Sequence, residues 1–413
     1  MSHSLATFKP LVSQLAQSIP VPAPPTGAMR PPSAPLSQDQ IEKLLAHFAD
    51  VDFTSNPAHH AAIGAALTSL RVSGIDREPS TLTFMRKKFL DQVIPVPTPT
   101  MEASPGTDYH GLVDLVGTGG DGKDTFNVST TASFVAAGVE GMHVCKHGGK
   151  ASSSTSGSAE LLLSLGIPLL DVPAEKAAGL LGQSSCVFFC APMFHRAMMP
   201  LAPIRASLGF PTLFNILGPL MNPARPQRGV YGVHSSGLGR VYAETLRLAG
   251  MEHFWVVCGQ EGLDEISPAG PTDVWEVVRG EIVHQVITPA DFGLPTHELD
   301  QVQSGSASQN AAVVMHMFSH PNDLPDAPLD APLTVDGPVP TAKLEPIPTG
   351  TNLRAIFDYT VLQAAALLYV AGFGQGDKKV CAQLARDSIT SGRALASLER
   401  MRTLMLNARP SAT

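Results

Sequence analysis

The chain has 413 residues, of which 44% are hydrophobic and 15% are charged, and its formal net charge is −8. This length is typical of about two domains, and the composition excludes a globally disordered protein. The acidic balance and the absence of a stripe rich in Lys and Arg argue against a nucleic-acid-binding surface.

No charge-free apolar run reaches the length of a transmembrane helix, so no membrane partner is expected. The first twenty residues contain one Lys and no apolar block with a cleavage site, so neither a signal peptide nor a transit peptide is predicted. The five cysteines (145, 186, 190, 258 and 381) form no CxxC pair, which argues against a disulfide framework or a zinc site. A reducing, cytoplasmic location is therefore predicted.

Helical patterns come first along the chain. Ser37 and Gln40 form a capping-box pattern ahead of an apolar helical repeat, and residues 59–72 and 80–93 also show helical spacing. Pro-rich segments at 20–36 and 95–108 are predicted to be irregular. Residues 1–108 are thus predicted to be a Pro-rich extension and a small helical domain.

Short apolar strands alternate with helix-like segments after that point. The strands are predicted at 112–116, 142–145, 187–190, 230–234 and 254–258. This alternation predicts an α/β domain over residues 109–413, with a mostly parallel central sheet. A hairpin turning at Arg279-Gly280, a Pro-rich surface insertion near 319–350 and a long, buried apolar helix over 353–371 complete the prediction.

A glycine-rich loop, GTGGDG, follows the first predicted strand and precedes a helix. Glycines at 117, 119 and 120 let backbone N–H groups approach an anion, and the helix N-terminus behind them adds partial positive charge. The loop matches neither GxxxxGK[ST] nor GxGxxG, and a plain tight turn is the alternative.

A second polar loop, KHGGKASSSTSGSAE, follows the next strand. Lys146, His147 and Lys150 supply cationic or donor groups, and a run of serines supplies hydroxyls. Loops at the carboxyl ends of neighbouring parallel strands face one crevice, so the two loops are predicted to bind one ligand. The alternative, a loose serine-rich linker, fits poorly between two regular segments.

Two further segments carry candidate chemistry. Asp264 and Glu265 are either solvated carboxylates or a magnesium site completed by substrate phosphates. Residues 191–224 read as apolar helices broken near Pro200 and Pro203, with His195 and Arg205 ten positions apart. Arg205 is either a bidentate clamp for a carboxylate or part of a salt bridge.

Together these segments resemble the anthranilate phosphoribosyltransferase family of tryptophan biosynthesis. The matching motifs occur in family order: GTGGD (117–121) with TFNVST (125–130), KHGGKASSSTSGSAE (146–160), HRAM…PIR…NP (195–223) and GLDE (262–265). Gly149 and Lys150 stand where bacterial members usually carry Asn and Arg, and this HGGK form resembles the fungal-type members. Gly149 has no side chain with which to contact anthranilate.

The resemblance implies a small helical domain and a large α/β domain of the nucleoside phosphorylase/phosphoribosyltransferase type. Helices from about 194–224 would join the N-terminal helical domain in space. The reaction would transfer ribose 5-phosphate from phosphoribosyl pyrophosphate to the amine of anthranilate, with Mg²⁺ as cofactor. These small molecules are the expected partners, and a homodimer is expected.

The resemblance also implies the site residues. The phosphoribosyl pyrophosphate would be bound by Gly117, Gly119, Gly120, Asp121, Thr125, Asn127, Val128, Ser129, Thr130, Lys146, His147, Gly148, Gly149, Ser154 and Ser158. Anthranilate would contact Gly117, Gly149, His195 and Arg205, and magnesium would bind Ser129, Asp264 and Glu265. Lys146, His147 and Arg205 are the candidate catalytic residues, and no dedicated general base is identified.

Two other functions are compatible with this fold. One is a pyrimidine nucleoside phosphorylase, which would use orthophosphate; the GTGGD loop and the NILGPLMNP segment favour the transferase. The other is a non-catalytic, ligand-binding relative, which the intact Lys146, Arg205 and Asp264-Glu265 oppose.

Overall fold

The computed structural model describes residues 3–19, 34–98, 106–107, 109–150, 155–336 and 344–410. The chain divides into two compact units. Unit 1 comprises residues 1–93 and 195–221, and unit 2 comprises residues 94–194 and 222–413. Most of the two predicted Pro-rich linkers, residues 20–33, 99–105 and 108, lies outside the described residues.

The α-helices of the described residues are α1 (Leu5–Ser18), α2 (Gln38–Ala46), α3 (Val51–Ser55), α4 (His60–Ser73), α5 (Pro79–Leu90), α6 (Val128–Ala137), α7 (Ser158–Ser164), α8 (Ala174–Ala178), α9 (Ala191–Phe194), α10 (Leu201–Leu208), α11 (Leu213–Leu217), α12 (Ser236–Leu248), α13 (Ala307–Ser319), α14 (Leu353–Val370), α15 (Lys378–Thr390) and α16 (Arg393–Asn407). The strands are β1 (Val113–Gly117), β2 (Val144–Gly148), β3 (Cys186–Cys190), β4 (Arg228–Gly232), β5 (His253–Gly259), β6 (Thr272–Val278) and β7 (Glu281–Ile287).

Unit 1 is helical, and local signals fix several of its helix ends. Ser37 and Gln40 form the predicted capping box of α2. Gly74 ends α4 in the left-handed region, and Pro79 opens α5, where a missing N–H costs no hydrogen bond. Helix α1 was not anticipated from the sequence, because Pro10 lies inside it.

The predicted break in the 191–224 segment is only partly right. Helix α10 begins after Pro200, as expected, but Pro203 lies within its first turn, where backbone N–H groups have no intrahelical partner. His195 has non-helical dihedrals (φ −104°, ψ 61°) and precedes a 3-10 turn at Arg196–Met198. The two candidate side chains of this segment, His195 and Arg205, therefore do not share one helix.

Unit 2 is built on a seven-stranded sheet with the order β3-β2-β1-β4-β5-β6-β7. Strands β1 to β5 pair in parallel, and β6 and β7 are antiparallel. The α/β class with a mostly parallel sheet is thus confirmed. The predicted hairpin is also present, with positive φ at Arg279 (51°) and Gly280 (82°), as a two-residue turn between twisted strands requires.

The long apolar helix is the centre of unit 2. Helix α14 is long and apolar enough to cross a membrane, yet 89% of its apolar window is buried inside the protein. It packs against α6, α15 and β4, which confirms the prediction of a core helix. The 319–350 segment was expected on the surface, but Leu324 and Ile347 are buried and Leu333 bridges to Ile347.

Candidate active site

The strand order places the candidate site. Successive strands run outward from β1 through β2 to β3, and β4 then adds on the other side of β1. At such a switch point the loops after neighbouring strands diverge and leave a crevice at their carboxyl ends. A cavity of about 210 Å³ lies there, lined by the glycine loop, the KHGGK loop and the Asp264-Glu265 pair.

Gly117 and Gly119 of the glycine loop pack against a carboxylate. A Cβ built on Gly117 would lie 2.2 Å from Asp264 Oδ2 and 2.9 Å from the Asp264 backbone oxygen. The Gly119 N–H donates to Asp264 Oδ2 at 2.6 Å. A side chain at position 117 would therefore clash with Asp264, so glycine is required there in addition to any role in admitting a ligand.

Gly120 differs from its neighbours. It has φ +84°, a left-handed conformation that favours glycine, and among the described residues a Cβ there would meet only His234 Nδ1 at 3.9 Å. His234 also lies 3.1 Å, Nδ1 to Oγ1, from Thr118. The loop is thus open at Gly120, and His234, which the sequence analysis did not single out, supports it after β4.

Hydrogen bonds join the glycine loop to the second loop. Asn127 Nδ2 donates to the Ser156 carbonyl at 2.7 Å, while Asn127 Oδ1 accepts from Ser156 Oγ at 2.9 Å and from Asn310 Nδ2 at 2.8 Å. The Asp124 carboxylate accepts the Thr155 N–H at 2.7 Å. The Asn127 side chain therefore connects the two loops and α13.

Lys146 is buried below the crevice. Its ammonium donates to the Leu115 carbonyl at 2.5 Å and to Ser129 Oγ at 3.2 Å. Burial lowers the pKa of Lys146, and the negative charges of Asp114 and Glu265 oppose that shift. The side chain thus brings a positive charge to the cavity wall where an anion would lie.

Two adjacent carboxylates of opposite charge, Asp264 and Glu265, line the same cavity as Lys146. Burial and the neighbouring Asp121 raise the pKa of Asp264 to about 7, and burial and Asp264 raise the pKa of Glu265 well above its ordinary value. The Tyr359 hydroxyl donates to Glu265 Oε2. The surroundings thus do not fully compensate the negative charge of these two carboxylates. Carboxylate oxygens are the ligands that a hard divalent cation prefers, so the pair is suited to bind one.

A buried aspartate in β1 was missed by the sequence analysis. The Asp114 carboxylate accepts from Asn222 Nδ2 at 2.9 Å and from the His147 N–H at 3.4 Å, and burial raises its pKa to about 6. Asn222 also donates to the Cys145 carbonyl at 2.6 Å. The available signal was a lone charged residue inside an apolar strand.

In unit 1, burial shifts the pKa values of the two remaining candidate residues, His195 and Arg205. It lowers the pKa of His195 to about 4, so the imidazole is neutral at neutral pH. It also lowers the pKa of Arg205, whose guanidinium carbon lies 5.5 Å from the centre of the Phe214 ring. Among the described residues, Arg205 Nε has no hydrogen-bond partner, and a ligand carboxylate would supply one.

The structure brings most of the predicted residues of unit 2 together. Those lining the cavity are Gly117, Gly119, Gly120, Asp121, Thr125, Asn127, Ser129, Lys146, His147, Gly148, Gly149, Ser158, Asp264 and Glu265. Val128 and Thr130 are instead buried in the first turn of α6, where Thr130 Oγ1 donates to Ser158 Oγ at 2.9 Å. Ser154 lies outside the described residues.

Within the described part of the chain, no group of three or more His, Cys, Asp or Glu side chains could hold a metal ion by itself.

Comparison with known proteins identifies the family. The profile described as "Glycosyl transferase family, a/b domain" matches residues 109–395. An anthranilate phosphoribosyltransferase of Schizosaccharomyces pombe is 43% identical over 71% of this chain and 74% of its own length. One of Saccharomyces cerevisiae is 35% identical over 82% of this chain and 85% of its own.

Solved structures agree with the sequence comparison. The Saccharomyces cerevisiae enzyme in complex with PRPP and Mg superposes with a TM-score of 0.78 and 29% identity, covering 98% of this chain and 99% of that one. With its four motifs in order and its crevice at the switch point, the chain belongs to the anthranilate phosphoribosyltransferase family.

Proposed function

We propose that the crevice of unit 2 binds phosphoribosyl pyrophosphate for the reaction of this family. The chain is a phosphoribosyltransferase of tryptophan biosynthesis, transferring ribose 5-phosphate to the amine of anthranilate and releasing pyrophosphate. The observation that carries the placement is that the buried Lys146 and two carboxylates line one small, glycine-lined cavity. Residues 1–108 with about 194–224 would form the helical domain, and residues 109–413 the substrate-binding domain.

Backbone amides and Lys146 would hold the pyrophosphate. Gly120 leaves its backbone uncovered, and α6, whose N-cap residue Asn127 makes no side-chain cap hydrogen bond, begins after the same loop. Thr125, Ser129 and Ser158 add hydroxyls at the cavity wall. Negative charge that develops on the leaving group would then meet donors already in place.

Asp264 and Glu265 would hold Mg²⁺, with Ser129 as the third protein oxygen. A related solved structure contains PRPP and Mg. When bound, the ion supplies charge neutralisation for the pyrophosphate. Without a cation these carboxylates are held partly neutral by their raised pKa values.

Arg205 would bind the anthranilate carboxylate. A related structure contains 4-fluoroanthranilate. The bond from the anomeric carbon to oxygen breaks, the bond from that carbon to the amine nitrogen forms, and the nitrogen loses its proton late. Alignment of the amine and stabilisation of the leaving group supply the catalysis, so no dedicated base is required.

A homodimer in the cytoplasm completes the proposal. Unit 1 exposes apolar side chains, including Val72 (64% exposed) and Met199 (60%), which a partner copy would cover. The five cysteines are free and buried, as suits a reducing compartment. Light scattering coupled to size-exclusion chromatography would measure the mass, and a monomer at all concentrations would contradict the dimer.

Loss of anthranilate fluorescence tests the reaction. We expect it to need phosphoribosyl pyrophosphate and Mg²⁺ together, and the double change Asp264→Asn, Glu265→Gln to abolish it while the fold persists. Phosphorolysis of a pyrimidine nucleoside with orthophosphate, without anthranilate consumption, would instead favour the phosphorylase. An unchanged rate and Mg²⁺ dependence in the double variant would contradict the metal placement.

Arg205→Ala separates the two substrates. We expect the KM for anthranilate to rise about 10- to 150-fold, the value of a charged hydrogen bond of about 1.5–3 kcal/mol, while the KM for phosphoribosyl pyrophosphate is unchanged. An equal loss for both substrates would mean that Arg205 is structural.

A further inference from the structure

Helix α14 presents two polar side chains to the segment that carries the acidic pair. Gln363 Nε2 donates to the Ile266 carbonyl at 2.7 Å, and Gln363 Oε1 accepts the Ile266 N–H at 3.3 Å. Tyr359, one helical turn earlier, is fully buried and donates its hydroxyl hydrogen to Glu265 Oε2. Helix α14 thus contacts two consecutive residues of this segment through side-chain polar atoms.

A second side chain affects the Tyr359 hydroxyl. Burial and Glu265 raise the pKa of Tyr359, and the side chain of Thr125, three residues after the glycine loop, opposes that shift. Thr125 is itself anchored by a bridge to Gln303, and the next residue, Phe126, donates its N–H to the Val302 carbonyl at 2.8 Å. The hydrogen bond from Tyr359 to Glu265 is the contact that reaches the acidic pair.

We propose that Tyr359 is a positioning residue for the metal site, fixing the rotamer of Glu265 through the hydrogen bond from its hydroxyl. This inference rests on the proposed binding of magnesium at Asp264 and Glu265. Tyr359 does not line the cavity, so it acts through Glu265 and not on the substrate. With one carboxylate oxygen held by the phenol, the other is left to bind a cation.

The effect of such a contact is known in size. Removing a hydrogen-bond partner that orients a metal ligand lowers metal affinity by about 10- to 100-fold. A tyrosine that only filled the core would have no such effect when replaced by phenylalanine, since the ring remains in place. The readout must therefore be cation binding and not activity alone.

Mn²⁺ would serve as the probe, titrated by electron paramagnetic resonance at a pyrophosphate concentration that saturates each variant. We expect Tyr359→Phe to raise the half-saturating Mn²⁺ concentration by about 10-fold or more. Tyr359→Met, which also removes the hydroxyl, should shift it in the same direction. Tyr369→Phe is the matched control, because it removes a hydroxyl from the same helix without a contact to Glu265.

A folded Tyr359→Phe variant with wild-type Mn²⁺ binding would overturn the inference, as would an equal shift in the Tyr369→Phe control. If Tyr359→Phe fails to fold, wild-type binding by a folded Tyr359→Met variant overturns it. Glu265→Gln distinguishes failure of the Tyr359 role from failure of the metal site. Weak binding by Glu265→Gln with normal binding by Tyr359→Phe refutes only the role of Tyr359, whereas normal binding by Glu265→Gln refutes the metal site itself.

Discussion

The two glycine-containing loops of the crevice look alike in sequence but differ in what their glycines do. In the first loop, Gly117 has a carboxylate where a side chain would start, and Gly120 has a left-handed backbone. In the second loop, Gly149 has neither constraint, and a Cβ there would make ordinary contacts of 3.9 Å with Ala191 and Pro192. The first loop is thus fixed by its surroundings, while the second tolerates a side chain at the position where bacterial members usually carry Asn.

The largest effect should come from Gly117→Ala. The new methyl group must displace the Asp264 carboxylate, and a shift of about 1 Å in a site can cost about 100-fold in rate. Steady-state kinetics would show a fall in kcat/KM of this order. Near-normal kinetics would mean that Asp264 can move without consequence, and the contrast between the loops would disappear.

Gly120→Ala should have a smaller effect of a different kind. The left-handed backbone costs a non-glycine residue about 1–2 kcal/mol of folding stability. Loss of one amide contact to phosphate should weaken phosphoribosyl pyrophosphate binding by about 10-fold. Thermal unfolding and calorimetric titration measure the two separately, and early melting with normal binding would show that this glycine serves only the turn.

The Asp264 carboxylate, which contacts the first loop, should make the folding stability of the metal-free protein depend on pH. The pKa of Asp264 is raised from 3.8 to about 7, so between these values the folded chain binds more protons than the unfolded chain. Stability should therefore fall as pH rises from 4 to 7, by about 1 kcal/mol or more, since one unit of pKa shift corresponds to about 1.4 kcal/mol.

Urea unfolding in the presence of a chelator, at pH 5 and pH 8, measures this dependence. Asp264→Asn should flatten it, and Mg²⁺ with pyrophosphate should reduce it by favouring the charged form. A variant with the full wild-type dependence would assign the effect to other buried acids, such as Asp114, whose pKa is also raised.

The smallest effect is expected for Gly149→Ala. Because the backbone there needs no left-handed φ and the described neighbours leave room for a methyl group, stability should rise by about 0.4–1 kcal/mol. The KM for phosphoribosyl pyrophosphate should be unchanged. A marked loss of binding would place the second loop under the same constraint as the first.

The sequence predicted the parts of the site that depend on local pattern. Three patterns predicted candidate site segments: the spacing of GTGGD, the position of KHGGK after the next strand and the Asp264-Glu265 pair. The structure places all three segments around one cavity. The contact of Gly117 with Asp264 could not be predicted, because it joins residues far apart in the chain. Tyr359 and Asp114 were hidden for another reason, since each lies inside an apolar pattern that indicates core packing.

Asn127 shows a limit of a different kind. Its residue type and position indicate a ligand-binding side chain, and that role stays a prediction. Its amide is nevertheless already bonded to Ser156 and Asn310. Residue type alone does not tell a side chain that binds a substrate from one that connects two loops around it.

The position of α14 in the chain has a consequence for biosynthesis. The helix is the central partner of α6, yet more than two hundred residues separate the two. During translation, the apolar face of α6 cannot pack against α14 until residues 353–370 have left the ribosome. We expect unit 2 to fold only after its last quarter is made, so chains stalled before residue 353 should be protease-sensitive and chaperone-bound, as limited proteolysis of stalled ribosome complexes would measure.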